Sequence, residues 1–149
     1  MTYTDQYTQK LNDFVSRADI QIMRQFSQHG SNNTLNHVVH VAMMCHKIQQ
    51  ALHLHVDEDS LIHGAVLHDY YLYDFKAQNE ISAFKHGTGH PVTALNNASR
   101  RFNLNKRERN IIYSHMWPLT PTHLPLCKEA WLVSTADKIC ALQEAFLYN

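Results

Sequence analysis

The pair His68-Asp69 combines two side chains that bind metals and transfer protons. It follows the run Leu61 to Leu67, in which six of the seven residues are apolar or small, so this segment is predicted to be buried. An unpaired charge buried in such a place costs several kcal/mol or more. A metal ion is a partner that engages both side chains at once, and the sequence can be searched for further ligands.

Two such ligands lie on predicted helices. His37 is four residues before Val41, which is four before Cys45, so the histidine continues an apolar stripe. Asp137 lies four residues after Val133, on the apolar stripe of the last predicted helix. An acid in that position needs a cation or a strong hydrogen-bond donor.

Two more histidines complete the candidate set. His115 follows Ile111 by four residues and is predicted to share its buried face, whereas His90 comes directly after Gly89 at a predicted helix N-terminus. Imidazole and carboxylate ligands favour Fe, Mn, Co, Ni or Zn over an all-oxygen Mg site. The six candidate metal ligands are His37, His68, Asp69, His90, His115 and Asp137.

Composition excludes several classes of protein. The chain of 149 residues predicts one domain, 1–149, and its 13 basic and 13 acidic side chains balance, which argues against a nucleic acid polymer as partner. No apolar run approaches the roughly 20 residues that span a bilayer, and we expect no membrane association. The three scattered cysteines and the absence of a visible signal peptide predict a cytoplasmic protein with reduced thiols.

The hydrophobic periodicity predicts an all-α fold, a compact bundle of about six or seven helices. Asn33 or Thr34 is a candidate N-cap for the second helix, Asp57 for the third, and Asn105 with Glu108 forms a candidate capping box. The predicted helices span residues 4–28, 34–55, 57–68, 91–102, 105–117 and 125–146.

Residues 70–90 are predicted to form a long irregular loop, with an aromatic stretch at 70–75 that could act as a wall or a lid. Gly87 and Gly89 punctuate its end, and Pro91 is predicted at the first position of the following helix.

The order H…HD…H…H…D on a helical chain resembles the HD-domain superfamily of metal-dependent phosphohydrolases, from Thr34 to about Glu144. The resemblance rests on three short sequence segments, which are His37-Val-Val-His-Val-Ala, Ala65-Val-Leu-His-Asp and Ala136-Asp-Lys. His90 and His115 match the extra ligands of the two-metal subgroup. The sequence segments around these two histidines resemble a bacterial branch of that subgroup. Membership of this branch implies no particular substrate.

The resemblance implies that His37, His68 and Asp137 hold one metal ion, that His90 and His115 hold a second, and that Asp69 bridges them. Two ions about 3.5–4 Å apart would activate a bridging water as hydroxide and neutralise phosphate charge. The implied cofactor is one or two divalent transition metal ions, and the implied reaction is hydrolysis of a phosphate ester, with a nucleotide or a related small metabolite as substrate.

Further residues are candidates for substrate contacts. His86 is a candidate proton donor to the leaving oxygen, and with Asp69 it forms the predicted catalytic pair. Lys85, His86 and Lys138 are candidates to bind phosphate, and Tyr73 in the aromatic stretch is a candidate to stack on a base.

Two other functions remain open at this stage. The same six ligands occur in di-iron HD-type oxygenases, and a non-catalytic binding module could retain the metal site. A homodimer is also compatible with the sequence.

Overall fold

A computed structural model describes residues 1–28, 32–74 and 80–147, with only the backbone described for residues 80–84. Within these ranges the chain is all-α, as predicted. Its seven α-helices are α1 (Tyr3–Val15), α2 (Ala18–Gln21), α3 (Thr34–Ala51), α4 (Glu58–Leu67), α5 (Glu80–Arg101), α6 (Lys106–Ser114) and α7 (Lys128–Leu147). The described residues form no strand, and Ser27 and Asn33 make one isolated antiparallel bridge.

The helix starts follow the predicted capping chemistry. The side chain of Asn33 accepts a hydrogen bond from the Asn36 amide at the start of α3, and Asp57 accepts one from the Ser60 amide at the start of α4. Asn105 and Glu108 form the expected reciprocal capping box at the start of α6. These caps fix where the helices begin, and therefore which residues reach the core.

Three predicted boundaries were wrong in detail. The first predicted helix is divided into α1, α2 and a 3₁₀ turn at Ile22–Gln25. Helix α3 ends at Ala51 rather than near His55, and α7 begins at Lys128 rather than near Pro125. The first difference is a break in the middle of a predicted helix, and the other two are at helix ends, where periodicity carries the least information.

The prediction of an irregular segment 70–90 was also wrong over its second half. Helix α5 begins at Glu80 and runs through Gly87, Gly89 and Pro91 without a break. Pro91 is buried in the interior of the helix, and His90 is therefore a mid-helix residue rather than an N-terminal one. Phe75, the last residue of the predicted aromatic stretch, lies outside the described residues.

The core lies between α3, α4, α6 and α7. Helix α3 packs against α4 and α7, and α6 packs against the same two helices from the other side. Helix α1 covers α3 and α4, and the hydroxyl of buried Tyr7 donates a 2.6 Å hydrogen bond to the carbonyl of Ala42. The C-terminal end of α4 meets the first turn of α3 at His37 and the middle of α7 at Asp137 inside the bundle.

Cys45, Cys127 and Cys140 are free thiols, as predicted. Among the described residues no helix is both long and apolar enough to cross a membrane.

Candidate metal centre

Helix α3 carries His37 into the centre of the bundle, where its side chain is fully buried. Its Nε2 lies 2.8 Å from Oδ1 of Asp137 on α7, and its Nδ1 lies 2.8 Å from Oε1 of Glu144. Burial alone would lower the pKa of His37, but the hydrogen bonds to Asp137 and Glu144 outweigh it and raise the pKa to about 10. The carboxylates of Asp137 and Glu144 therefore stabilise a positive charge at the His37 ring, and either a proton or a metal ion can supply that charge.

His68 is the residue at which α4 ends. Its Nδ1 donates a 2.6 Å hydrogen bond to the carbonyl of Ala65, which orients the ring. Its Nε2 is buried and has no hydrogen-bond partner among the described residues, and it lies 3.4 Å from Oδ2 of Asp69 and 3.5 Å from Oδ1 of Asp137. A buried nitrogen that faces two carboxylates at this distance, with no direct bond to either, fits a metal ligand.

His115 ends α6 in the same way, with its Nδ1 2.8 Å from the carbonyl of Ile112. On α5, Nδ1 of His90 lies 2.7 Å from the carbonyl of His86. Both rings therefore direct Nε2 into the site, where the two Nε2 atoms are 2.8 Å apart. Two nitrogen lone pairs at this separation repel each other unless a cation lies with them. Burial lowers the pKa of His115 to about 4, which disfavours a proton as that cation.

Asp69 connects the two sets of histidines. One carboxylate oxygen, Oδ1, lies 3.1 Å from Nε2 of His90 and 3.4 Å from Nε2 of His115. The other, Oδ2, lies 3.5 Å from Nε2 of His37 and 3.4 Å from Nε2 of His68. Burial would raise the pKa of Asp69, but its histidine neighbours outweigh this and hold the pKa well below the usual value. An ionised carboxylate with one oxygen on each side is suited to bridge two cations.

The structure thus brings all six predicted ligands together. Their ligand atoms form two groups, each within 4.8 Å, that share Asp69: His37, His68, Asp69 and Asp137 in one, and Asp69, His90 and His115 in the other. Four imidazoles and two carboxylates fit a divalent transition metal, and the buried carboxylates give such an ion the charge that it needs.

A second layer of residues was not predicted from the sequence. The carboxylate of buried Glu144 bonds to Nδ1 of His37 and, at 2.8 Å, to Nδ1 of His40, and it accepts a 3.1 Å hydrogen bond from Asn32. Glu144 lies seven residues after Asp137 on α7, and this spacing is the sequence signal that could have identified it.

Asp69 has its own supporting chain of hydrogen bonds. Nε2 of Gln28 donates a 2.6 Å bond to Oδ2 of Asp69, and the hydroxyl of Tyr71 donates a 2.7 Å bond to Oε1 of Gln28. Both side chains are buried. Gln28 was predicted as the last residue of the first helix, but it lies in an irregular segment before α3, and its role could not be predicted from the sequence.

A cavity of about 600 Å³ opens above the six residues and reaches Asp69, His90 and Asp137. A more open groove of about 820 Å³, which runs past Val56 and Trp131, is lined by none of the six. The first cavity therefore gives a small molecule access to the candidate metal centre.

The predicted substrate-binding residues differ in their relation to this cavity. His86 and Lys138 line it. Tyr73 does not, but its hydroxyl is hydrogen-bonded to Nδ1 of His86. Lys85 is exposed and is not among the described lining residues.

Comparison with known proteins assigns the family. The model of the HD domain matches residues 34–142, which is well over half of the chain. Searches of curated proteins and of solved structures found no match. HD domains are in general metal-dependent phosphohydrolases. The matched residues run from α3 into α7 and include all six clustered side chains. The chain therefore belongs to the HD domain family.

Proposed function

We propose that this protein hydrolyses a phosphate monoester with the help of two divalent transition metal ions. The observation that carries the proposal is the position of Asp69, whose two oxygens face two different histidine groups at the floor of an accessible cavity. A site for a single structural ion would not need the second group, nor an open path to it.

The six ligands would be shared between the two ions according to the two groups that their ligand atoms form. His37, His68 and Asp137 would hold one ion, His90 and His115 would hold the other, and Asp69 would contact both. When bound, two such ions supply a water-derived nucleophile near neutral pH and neutralise charge on the phosphate oxygens.

The chain itself would supply proton transfer and orientation. His86 stacks on His90, with ring centroids 4.4 Å apart, and lines the cavity. Its bond to the Tyr73 hydroxyl at Nδ1 orients the ring, so that His86 is placed to donate a proton to the leaving oxygen. Lys138, whose Nζ lies 2.7 Å from Oγ of Ser134, would attract the phosphate electrostatically.

A di-iron oxygenase is the second candidate function. Among the described residues that line the cavity, Lys138 is the one Lys or Arg side chain, which is little positive charge for a phosphate site. The same histidine-rich ligand set suits iron. Iron in the purified protein with oxygen uptake, and no release of phosphate from esters, would favour this function.

The test is metal analysis of protein purified without chelator, followed by a phosphatase and nucleotidase screen with Mn, Co, Ni, Fe and Zn. We expect Asp69→Ala to lower bound metal and phosphate release together, by about 100-fold or more, while the circular dichroism spectrum stays helical. Asp13→Ala, at an exposed aspartate on α1, is the control and should behave as wild type. Full activity in Asp69→Ala would contradict the proposal.

A further inference from the structure

The cavity above the metal centre is divided into a polar and an apolar half. Its floor is formed by Asp69, His90 and Asp137, with Gln28, His86 and Lys138 around them. Its other walls are Met116, Pro118 and Leu119, from the segment after α6, with Ala141 on α7 and Gly87 on α5. A phosphate group on the floor would therefore leave the rest of its molecule against apolar side chains.

Backbone at the apolar wall is already partly hydrogen-bonded. The Leu119 amide donates to the carbonyl of Met116 at 2.8 Å, and Pro118 has no amide hydrogen. None of the described side chains on this wall carries a nitrogen or oxygen. A nucleobase edge placed against these side chains would lose bonds to water and find no side-chain partner among them, which is unfavourable.

Positive charge in the cavity is also limited. Nζ of Lys138 lies within hydrogen-bond distance of Oγ of Ser134, at 2.7 Å, and of the carbonyls of Ser134 and His115, both at 3.2 Å. Its three protons thus have partners within the protein. A second or third phosphate group would lie beyond the two ions. Among the described lining residues, Lys138 is the one Lys or Arg side chain that could compensate the negative charge of such a group.

Helix α5 and the segment after α6 also approach each other closely at this wall. A Cβ added to Gly87 would lie 3.3 Å from Cδ2 of Leu119, which is tighter than ordinary contact. A side chain at Gly87 would therefore press on Leu119, and both residues line the cavity.

We propose that the wall of Met116, Pro118, Leu119 and Ala141 is a subsite for an apolar group, and that the substrate is a monophosphate ester of an alkyl or aryl alcohol rather than a nucleoside polyphosphate. This inference rests on the proposed function. The inference also goes beyond the proposed function, because it names the non-phosphate part of the substrate and the residues that select that part.

The experiment uses straight-chain alkyl phosphates, from ethyl to hexyl, whose leaving groups have nearly equal acidity. With metal-loaded protein, kcat/KM should increase roughly threefold for each added methylene group that enters the subsite. Hexyl phosphate should also be a better substrate than a nucleoside diphosphate. Equal rates for ethyl and hexyl phosphate, or faster hydrolysis of the diphosphate, would overturn the inference and leave the proposed function standing.

A pair of leucine variants tests the location of the subsite. Leu119 is 47% exposed and lines the cavity, whereas Leu124 is 52% exposed and does not. Leu119→Asn should reduce the ratio of the hexyl to the ethyl rate several-fold, and Leu124→Asn should leave it unchanged. An unchanged ratio in Leu119→Asn would show that the wall is not the subsite.

Alkyl phosphonates, which are not hydrolysed, separate the two proposals. Titration calorimetry should show affinity increasing with chain length in wild type and less steeply in Leu119→Asn. If this dependence appears while no ester is hydrolysed, the subsite is supported and phosphohydrolase activity is refuted. Phosphonate binding that is independent of chain length would refute the subsite.

Discussion

Glu144 bonds to the ring nitrogen of His37 that points away from the site. A carboxylate in this position fixes the ring orientation and increases the basicity of the opposite nitrogen, which strengthens a metal bond. Burial would raise the pKa of Glu144, but its bonds to His37, His40 and Asn32 outweigh this and lower it. The carboxylate is therefore charged and able to act on His37.

Glu144→Gln should lower metal affinity by about 10–100-fold, because the amide keeps the size of the side chain and removes its charge. Competition with a chelator of known affinity measures the change. Glu129→Gln is the matched control, since Glu129 is equally buried on the same helix but bonds to the Asp57 amide, far along α7. Equal affinities in the two variants would show that Glu144 has no influence on the metal.

Most of the six candidate ligands could be predicted from sequence because they interrupt a strong local pattern, whereas His90 was predicted at a helix N-terminus and lies inside α5. Asp137 is an acid on an apolar stripe, and His68-Asp69 ends a buried run. Gln28 could not be predicted, since a glutamine in an irregular segment is unremarkable until the fold brings it to Asp69 across 41 positions of chain. Lys138, a predicted phosphate-binding residue, lines the same cavity as Asp137 although adjacent helix positions point about 100° apart, because a long side chain can reach around a helix.

At the level of helices, the crossing of α4 and α6 determines how the two sets of ligands meet. Each helix ends at a histidine whose Nδ1 bonds to the carbonyl three residues earlier, and the rings of His68 and His115 lie 4.7 Å apart. The crossing is close because Gly64 faces Ile111. A side chain at Gly64 would therefore move the two histidines relative to each other.

Gly64→Ala should lower the free energy of unfolding by about 1–3 kcal/mol, because the new Cβ would lie 2.5 Å from Cδ1 of Ile111 in a packed core. Chemical denaturation measures this, and metal affinity should fall as well. Gly89→Ala is the control, since a Cβ there meets no atom within 4 Å. That change should stabilise the exposed helix position by about 0.5–1 kcal/mol. Equal stability of the two variants would mean that the crossing tolerates a larger residue.

Helix α5 shows why local sequence rules fail where tertiary contacts are strong. Two glycines and a proline predicted a loop and then a helix start, and a proline inside a helix costs about 3 kcal/mol. Burial of Pro91, Ala94 and Ala98 offsets this cost, and the ring of His90 bonds to the carbonyl of His86. The helix is thus stabilised by packing and by the site, neither of which is visible in a window of sequence.

In the whole molecule the metal centre joins five helices, α3 to α7. Ions that bind the folded state and not the unfolded chain stabilise the fold by mass action, by about 2.7 kcal/mol at a hundred times the dissociation constant. In their absence the buried carboxylates of Asp69 and Asp137 depend on the neighbouring histidines for positive charge, and Asp69 also accepts a hydrogen bond from Gln28.

Removal of metal should therefore lower the melting temperature by about 5–10 °C, and saturating Mn²⁺ should restore it. Differential scanning calorimetry on chelator-treated and reloaded protein measures the shift. Asp69→Ala should show little difference between the two conditions. The same melting temperature for wild-type protein with and without metal would contradict a centre that binds ions in the folded state.

His37 and Asp137 touch across 100 positions of chain. During synthesis on the ribosome, a chain whose α7 is still in the exit tunnel lacks Asp137 to complete its first group of ligands and Glu144 to support His37. Such an intermediate cannot retain an ion tightly at that group, however well its earlier helices are formed. The proposed activity would then begin only after α7 has docked, so that metal binding at this group reports the docking of that helix.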